Sequence, residues 1–235
     1  MIYRTLSEAE TASLQQRILY EDNHLLIINK VPGEIVQGDK TGDECLADTL
    51  KAYIAARDSK PGRVYMGVPH RLDRPCSGIC VFAKTEKALG RLSEMFRSGD
   101  VHKIYWALCE QKPSPEAGTL EDWLGRNEKQ NKAYVVDGPK GEAKLARLNY
   151  RFLQSTERYH LVEVELLTGR HHQIRCQLSN LGCVIKGDLK YGARRSNPDG
   201  GICLHARRIS FDHPVKHEPI EIEAPVPSTW KGICL

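Results

Sequence analysis

Val68-Pro69-His70-Arg71-Leu72-Asp73-Arg74-Pro75-Cys76-Ser77-Gly78 runs directly into Ile79-Cys80-Val81-Phe82-Ala83-Lys84. The second half is an apolar, β-like run, and Pro75 with Ser77-Gly78 marks a tight loop in front of it. Asp73 is therefore expected at the rim of a sheet, on a braced loop rather than a loose segment. Arg71 and Arg74 stand on either side of it in sequence. Nearby guanidinium groups favour the ionised form of a carboxyl, so a carboxylate is expected at neutral pH. A fixed anion in a basic loop suits nucleophilic or base chemistry on a substrate that is itself an anion. The same residues also describe a surface Arg-Asp-Arg turn held by salt bridges, because structural ion pairs perturb carboxylates as well.

Upstream, residues 17–30 read as two short β segments around a polar Glu-Asp-Asn turn, and Lys30-Val31-Pro32-Gly33 breaks the run. From Asp43 the pattern turns helical. Leu46, Leu50, Tyr53 and Ile54 make one apolar stripe, with Asp43 as the expected N-cap. Downstream, a second helix is predicted from about Thr85 to Arg97, with Ala88, Leu92, Met95 and Phe96 inward and Gly99 as its stop. Val101–Cys109 reads as a strand. Short strands are expected near Gly118–Leu124 and Ala133–Asp137, then an antiparallel pair over Glu142–Gln154 and Tyr159–Leu167. Leu167-Thr168-Gly169-Arg170-His171-His172-Gln173-Ile174-Arg175-Cys176-Gln177-Leu178 opens a helix, with Arg170, Gln173 and Arg175 at its start, that buries Ile174, Leu178 and Leu181 and ends at Gly182. Strands outnumber helices and do not alternate with them regularly, which points to the α+β class.

With 235 residues, the chain is long enough for one large domain with a full core. No stretch reaches the length of a membrane span, and residues 1–16 have no apolar core of a secretory signal. The eight cysteines form no Cys-x-x-Cys pair, which fits reduced thiols in the cytoplasm rather than a disulfide framework or a zinc site. His171 and His172 are adjacent and are expected to point to different helix faces, so they offer no metal pair. Charge is uneven. Between Arg170 and His217 nine Lys/Arg face three Asp, a surplus of six on a chain whose net charge is +4. A solvated face would look the same, but the stretch coincides with the motif around Arg175, which favours an electrostatic footprint for a polyanion.

HRLD-x-x-C-S-G followed by an apolar strand ending Ala-Lys-Thr resembles the signature of the RluA family of RNA pseudouridine synthases, which reads HRLD-x-x-TSG. Cys76 stands where the family has Thr, a change of similar size that keeps a weak hydrogen-bonding group. Further blocks follow in family order: Asn29-Lys30 with a proline one place late, Lys103-x-Tyr105, Thr-Gly-Arg-x-His-Gln-Ile-Arg over residues 168–175, Gly187-Asp188-x-x-Tyr191-Gly192, and Leu204-His205-Ala206 with His213-Pro214. Cys183-Val184 departs from the usual His-Pro. The likeness runs from about residue 18 to 227.

The resemblance implies the pseudouridine synthase fold: a mixed, mostly antiparallel curved sheet with flanking helices and a central catalytic cleft. It implies Asp73 as the essential carboxylate, Tyr105 as the aromatic beside it, and Arg175 as its ion-pair partner. A buried arginine without a partner would be costly, which makes that pairing physically sensible. Arg71, Arg74, Arg170 and Gln173 are the expected RNA contacts. The implied reaction is isomerisation of uridine in ribosomal or transfer RNA, with no metal and no organic cofactor. Sixteen residues precede the first expected strand. That is too few for the small RNA-binding domain some relatives carry in front, so a single catalytic domain over 1–235 is expected. No apolar stripe is left unexplained, which favours a monomer. A glycosidic-bond hydrolase would want two facing carboxylates and would release free base. A non-catalytic RNA-binding module would need no Asp-Tyr-Arg set and would bind RNA without chemistry.

Overall fold

The computed structural model describes residues 3–38, 42–230 and 232; Cys234 lies outside them. The chain runs α1 (Glu8–Arg17), β1 (Ile18–Glu21), β2 (Leu25–Lys30), α2 (Leu46–Arg57), β3 (Ser77–Ala83), α3 (Glu86–Ser98), β4 (His102–Cys109), β5 (Ala117–Asn127) and β6 (Lys132–Val136). It continues with β7 (Lys144–Ser155), β8 (His160–Leu166), α4 (Gln173–Asn180), a short 3-10 turn (Leu189–Tyr191), β9 (Leu204–Asp212) and β10 (Pro219–Glu223). The strands make one sheet in the order β1-β2-β3-β9-β4-β8-β7-β5-β6, with β10 paired to β9. The named pairs are antiparallel except β3 with β9. The fold is thus the mixed, mostly antiparallel α+β sheet expected.

The apolar run after Asp73 becomes β3, buried along its whole length. It lies between β2, which pairs with it from Leu25–Ala83 to Lys30–Gly78, and β9. Ser77 meets His205 and Gly78 meets Ala206 across the parallel contact. Gly78 adopts φ +109°, and a Cβ there would lie 2.4 Å from both the nitrogen and the oxygen of Ala206. Only glycine lets β3 leave the loop this close to β9.

The helix stripes fall as expected. Leu46, Leu50, Tyr53 and Ile54 are buried on α2, Ala88 and Leu92 on α3, with Met95 and Phe96 packed against the core. Thr85 caps α3 through the Ala88 amide at 3.2 Å, and Gly99 closes it in the left-handed region. Three points differ from the sequence reading. Helix α1 was not anticipated; its capping box is Ser7 with Glu10. The N-cap of α2 is Cys45, without a side-chain cap, because Asp43 accepts a hydrogen bond from Arg74 instead. Strand β5 spans eleven residues rather than a short piece, because it pairs along β7 and also forms a hairpin with β6. Strand β9 runs unbroken through Arg207-Arg208, held by β4 on one edge and by β3 and β10 on the other. No described helix is long and apolar enough to cross a membrane.

Candidate active site

Every backbone carbonyl of the Asp73–Cys76 loop is tied down. Lys30, at the end of β2, is fully buried and points its ammonium at four carbonyl oxygens: Val31 at 3.1 Å, Asp73 at 3.3 Å, Arg74 at 3.1 Å and Cys76 at 2.7 Å. Burial pushes the Lys30 amine down from its ordinary range. Four acceptors around one nitrogen oppose that, since a charged ammonium has three hydrogens to share among them. The Cys76 amide returns to the Asp73 carbonyl at 3.0 Å, the Gly33 amide takes the Arg74 carbonyl at 2.9 Å and the Ile202 amide the Pro75 carbonyl at 2.9 Å. Upstream, His70 Nε2 accepts from the Val81 amide at 2.9 Å while its ring stacks on Phe96, centroids 4.4 Å apart. Burial drives this imidazole down to about 3, so it stays a neutral acceptor. The loop is braced from both ends.

The structure brings Asp73, Tyr105 and Arg175 together. Arg175 Nη1 donates to Asp73 Oδ2 at 3.0 Å across 102 residues of sequence. Ala206 is the register partner of both Gly78 on β3 and Tyr105 on β4. Tyr105 therefore lies level with the exit of the Asp73 loop, with β9 between them. Its hydroxyl is pushed well above the usual phenol range chiefly by burial, with the Asp73 carboxylate adding to it, so it remains protonated. The buried Cys76 thiol is likewise raised by burial and by Asp73. It stays a neutral thiol, not a nucleophile.

The positive charge at Asp73 comes from Arg175, the expected partner, and not from its neighbours in sequence. The flanking arginines do not supply it. Arg74 bonds Asp43 at 2.8 Å and the Gly33 carbonyl at 3.0 Å, and Arg71 is exposed with no protein partner among the described residues. The charge comes from Arg175, which is held in turn by a carboxylate the sequence reading had not assigned. Asp188 accepts from Arg175 Nε at 2.7 Å and from Nη2 at 2.8 Å, and both residues are buried. Two opposing acids around one guanidinium raise its already high affinity for a proton against the cost of burial.

His171 and His172 also differ from expectation. They precede α4 rather than lying on it, and they stack on each other with ring centroids 3.9 Å apart. His172 occupies the left-handed region at φ +50°, and its Nε2 lies 3.6 Å from Asp73 Oδ2. Gln173, expected at the RNA, is buried. Its Oε1 accepts from Thr168 Oγ1 at 2.8 Å and from the Arg170 amide at 2.9 Å, and its Nε2 donates to the Arg147 carbonyl at 3.0 Å. Both ends of the amide hold the loop that presents Arg170, which is itself exposed and bonds the Leu145 carbonyl.

The basic stretch is narrower in space than in sequence. Arg175, Arg194, Arg207, Arg208 and Lys216 face carboxylates, most of them from outside the stretch: Glu110, Glu223, Glu221 and Asp22. Arg170, Lys186, Lys190 and Arg195 form no ion pair with a described carboxylate. Among the described residues no group of three or more His, Cys, Asp or Glu could hold a metal ion.

A family model described as RNA pseudouridylate synthase matches residues 24–180. An uncharacterized RNA pseudouridine synthase, YhcT, of Bacillus subtilis is 33% identical over 99% of the chain and 78% of its own length. The ribosomal large subunit pseudouridine synthase C of Vibrio parahaemolyticus is 34% identical over 95% of the chain and 70% of its own length. Among solved structures, human RNA pseudouridylate synthase domain containing 4 superposes with a TM-score of 0.77 at 26% identity, covering 94% of this chain and 92% of that one. The match spans the Asp73 loop, β4 and the start of α4, the three segments that meet at the site. This chain belongs to the RNA pseudouridine synthase family.

Proposed function

We propose that the chain converts uridines of ribosomal RNA to pseudouridine with Asp73 as the reacting carboxylate. The observation that carries this is the convergence of Asp73, Arg175 and Tyr105: an acid paired at 3.0 Å with a buried guanidinium, level with a protonated tyrosine. The uridine must first leave its stack, at a cost of about a few kcal/mol. The exposed Arg71, Arg74 and Arg170 are the groups to contact the RNA backbone and fill the vacated space. Asp73 reacts at the ribose, whether by attack at C1′ or by removal of a sugar proton. In either route the N1–C1′ bond breaks, the uracil turns, and C5 bonds C1′. The C5 proton is lost and N1 ends protonated, so no electrons are gained or lost overall. Tyr105 is the surface on which the freed uracil stacks. Relatives named for the large ribosomal subunit support a ribosomal target. A single catalytic domain acting as a monomer in the cytoplasm completes the reading.

The test is tritium release from an unmodified large-subunit ribosomal RNA transcript labelled at uridine C5, followed by carbodiimide mapping of new pseudouridines. Wild-type protein should release tritium at mapped sites, and Asp73→Asn should bind the transcript yet release none. Wild-type turnover by Asp73→Asn would sink the mechanism. Release from transfer RNA alone would move the target.

A further inference from the structure

Resting on the role of Asp73 proposed above, the geometry points to His172 as a second positioning residue for that carboxylate: its ring presents Nε2–H to Asp73 Oδ2, the oxygen Arg175 already holds, with Tyr191 setting the tautomer.

Tyr191 is the fixed point. Its oxygen accepts from the Ala133 amide at 2.8 Å, so the hairpin of β5 and β6 locks it in place. Its single hydrogen has two acceptors in reach, the Ala133 carbonyl at 3.3 Å and His172 Nδ1 at 3.0 Å. Were Nδ1 the protonated nitrogen, the Nε2 lone pair would face a carboxylate oxygen 3.6 Å away, a repulsive contact. With the proton on Nε2, the tyrosine hydrogen goes to the nearer acceptor and an N–H dipole faces the acid. Both contacts then favour one assignment.

The ring is also enclosed on several sides. It is buried, stacked on His171 and met edge-on by Tyr191, ring centroids 5.7 Å apart. Burial drives it down to about 3, with Arg175, His171 and Lys190 pushing the same way and Asp73 opposing. It is therefore a neutral donor. Its backbone at φ +50° is uncommon for a residue with a side chain and persists where the surroundings over-determine it. At 3.6 Å the contact is longer than a hydrogen bond. Catalytic contacts are often long before substrate arrives and close in the complex. Two donors converging on Oδ2 leave Oδ1, which accepts no hydrogen bond from the described residues, as the oxygen turned to the ribose.

Long-range proton–nitrogen NMR on protein labelled with ¹⁵N-histidine reads the tautomer directly, the His172 resonance being the one lost in His172→Gln. An Nε2–H pattern whose nitrogen shifts in Asp73→Asn supports the assignment, and an Nδ1–H pattern overturns it. Single-turnover tritium release from the same C5-labelled transcript then tests the role. His172→Ala should be slower by about tenfold to a hundredfold at saturating RNA, with RNA affinity unchanged. His172→Gln, which restores an N–H at similar reach, should recover part of that. A wild-type rate in His172→Ala, or equal losses in both variants matching a fall in folded fraction, would leave only a packing role and overturn the inference. Asp73→Asn run in parallel separates the two ideas. If it turns over, the carboxylate assignment fails; if it is dead while His172→Ala keeps the wild-type rate, only the histidine's role fails.

Discussion

Arg175 serves two carboxylates in different ways. Asp188 takes Nε and Nη2 and is 1% exposed, while Asp73 takes Nη1 alone and has 29% of its side chain exposed. The first contact is bidentate and dry, so it fixes the plane of the guanidinium; the second uses the one edge left over. Asp188→Asn keeps the shape and removes the charge beside a buried cation. An unfolding free energy lower by about 3 kcal/mol is expected in urea titration, with Asp73→Asn costing much less. Asp73, Tyr105 and Arg175 were legible in the sequence because each sits in a short contiguous motif. Asp188 and Tyr191 lay in a motif just as visible, but their targets, Arg175 and His172, are set by where the 3-10 turn docks, which local sequence does not encode. Gln173 misled for the same reason: its motif marks the site, and its burial follows from Thr168 and Arg147 beside it.

At the level of elements, the expectations that held were those written in local chemistry. Thr85 and Gly99 bound α3 as a cap and a left-handed stop do, and the stripe on α2 faces the core. Helix α1 carried an equally local signal, Ser7-Glu8-Ala9-Glu10, whose Ser-x-x-Glu spacing is a capping box. Its apolar face is weak, with Leu14 its only buried residue, so periodicity alone does not find it. The junction of the Asp73 loop with β3 depends on Gly78. Gly78→Ala would force a Cβ against the Ala206 backbone at a left-handed φ. The expected result is a loss upwards of about 3 kcal/mol in stability. Soluble yield and the urea midpoint check it. Any folded fraction should turn over poorly, since the loop can leave β9 only by moving Asp73.

For the whole molecule, the charge map shows why a sequence window is a poor guide to a surface. The basic stretch is largely neutralised by acids that neighbour it only after folding. Neutral histidines supply a second global property. His70 and His172 are held at about 3 and His205 at about 4, chiefly by burial. An unfolded imidazole titrates near ~6.5. Folded values below it mean that the unfolded chain takes up these protons first. This stabilisation is complete above about pH 6.5 and drains as pH falls toward 4, by up to about 1.4 kcal/mol per pH unit for each ring. Urea midpoints should therefore hold between pH 8 and 7 and decline steeply below 6. A flat profile to pH 4.5 would contradict the neutral assignments.

The position of β9 in the strand order bears on synthesis. It is the one strand joining β1-β2-β3 to β4-β8-β7-β5-β6, and it is the last but one in the chain. While residues 204–212 are still inside the ribosome, β3 and β4 carry unpaired edges, the kind of surface on which nascent chains aggregate. Asp73 belongs to one half and Tyr105 to the other, so neither half alone has a working site. A chain that stops before residue 204 lacks the strand that sets β3 against β4, and with it the register that places Tyr105 level with the exit of the Asp73 loop.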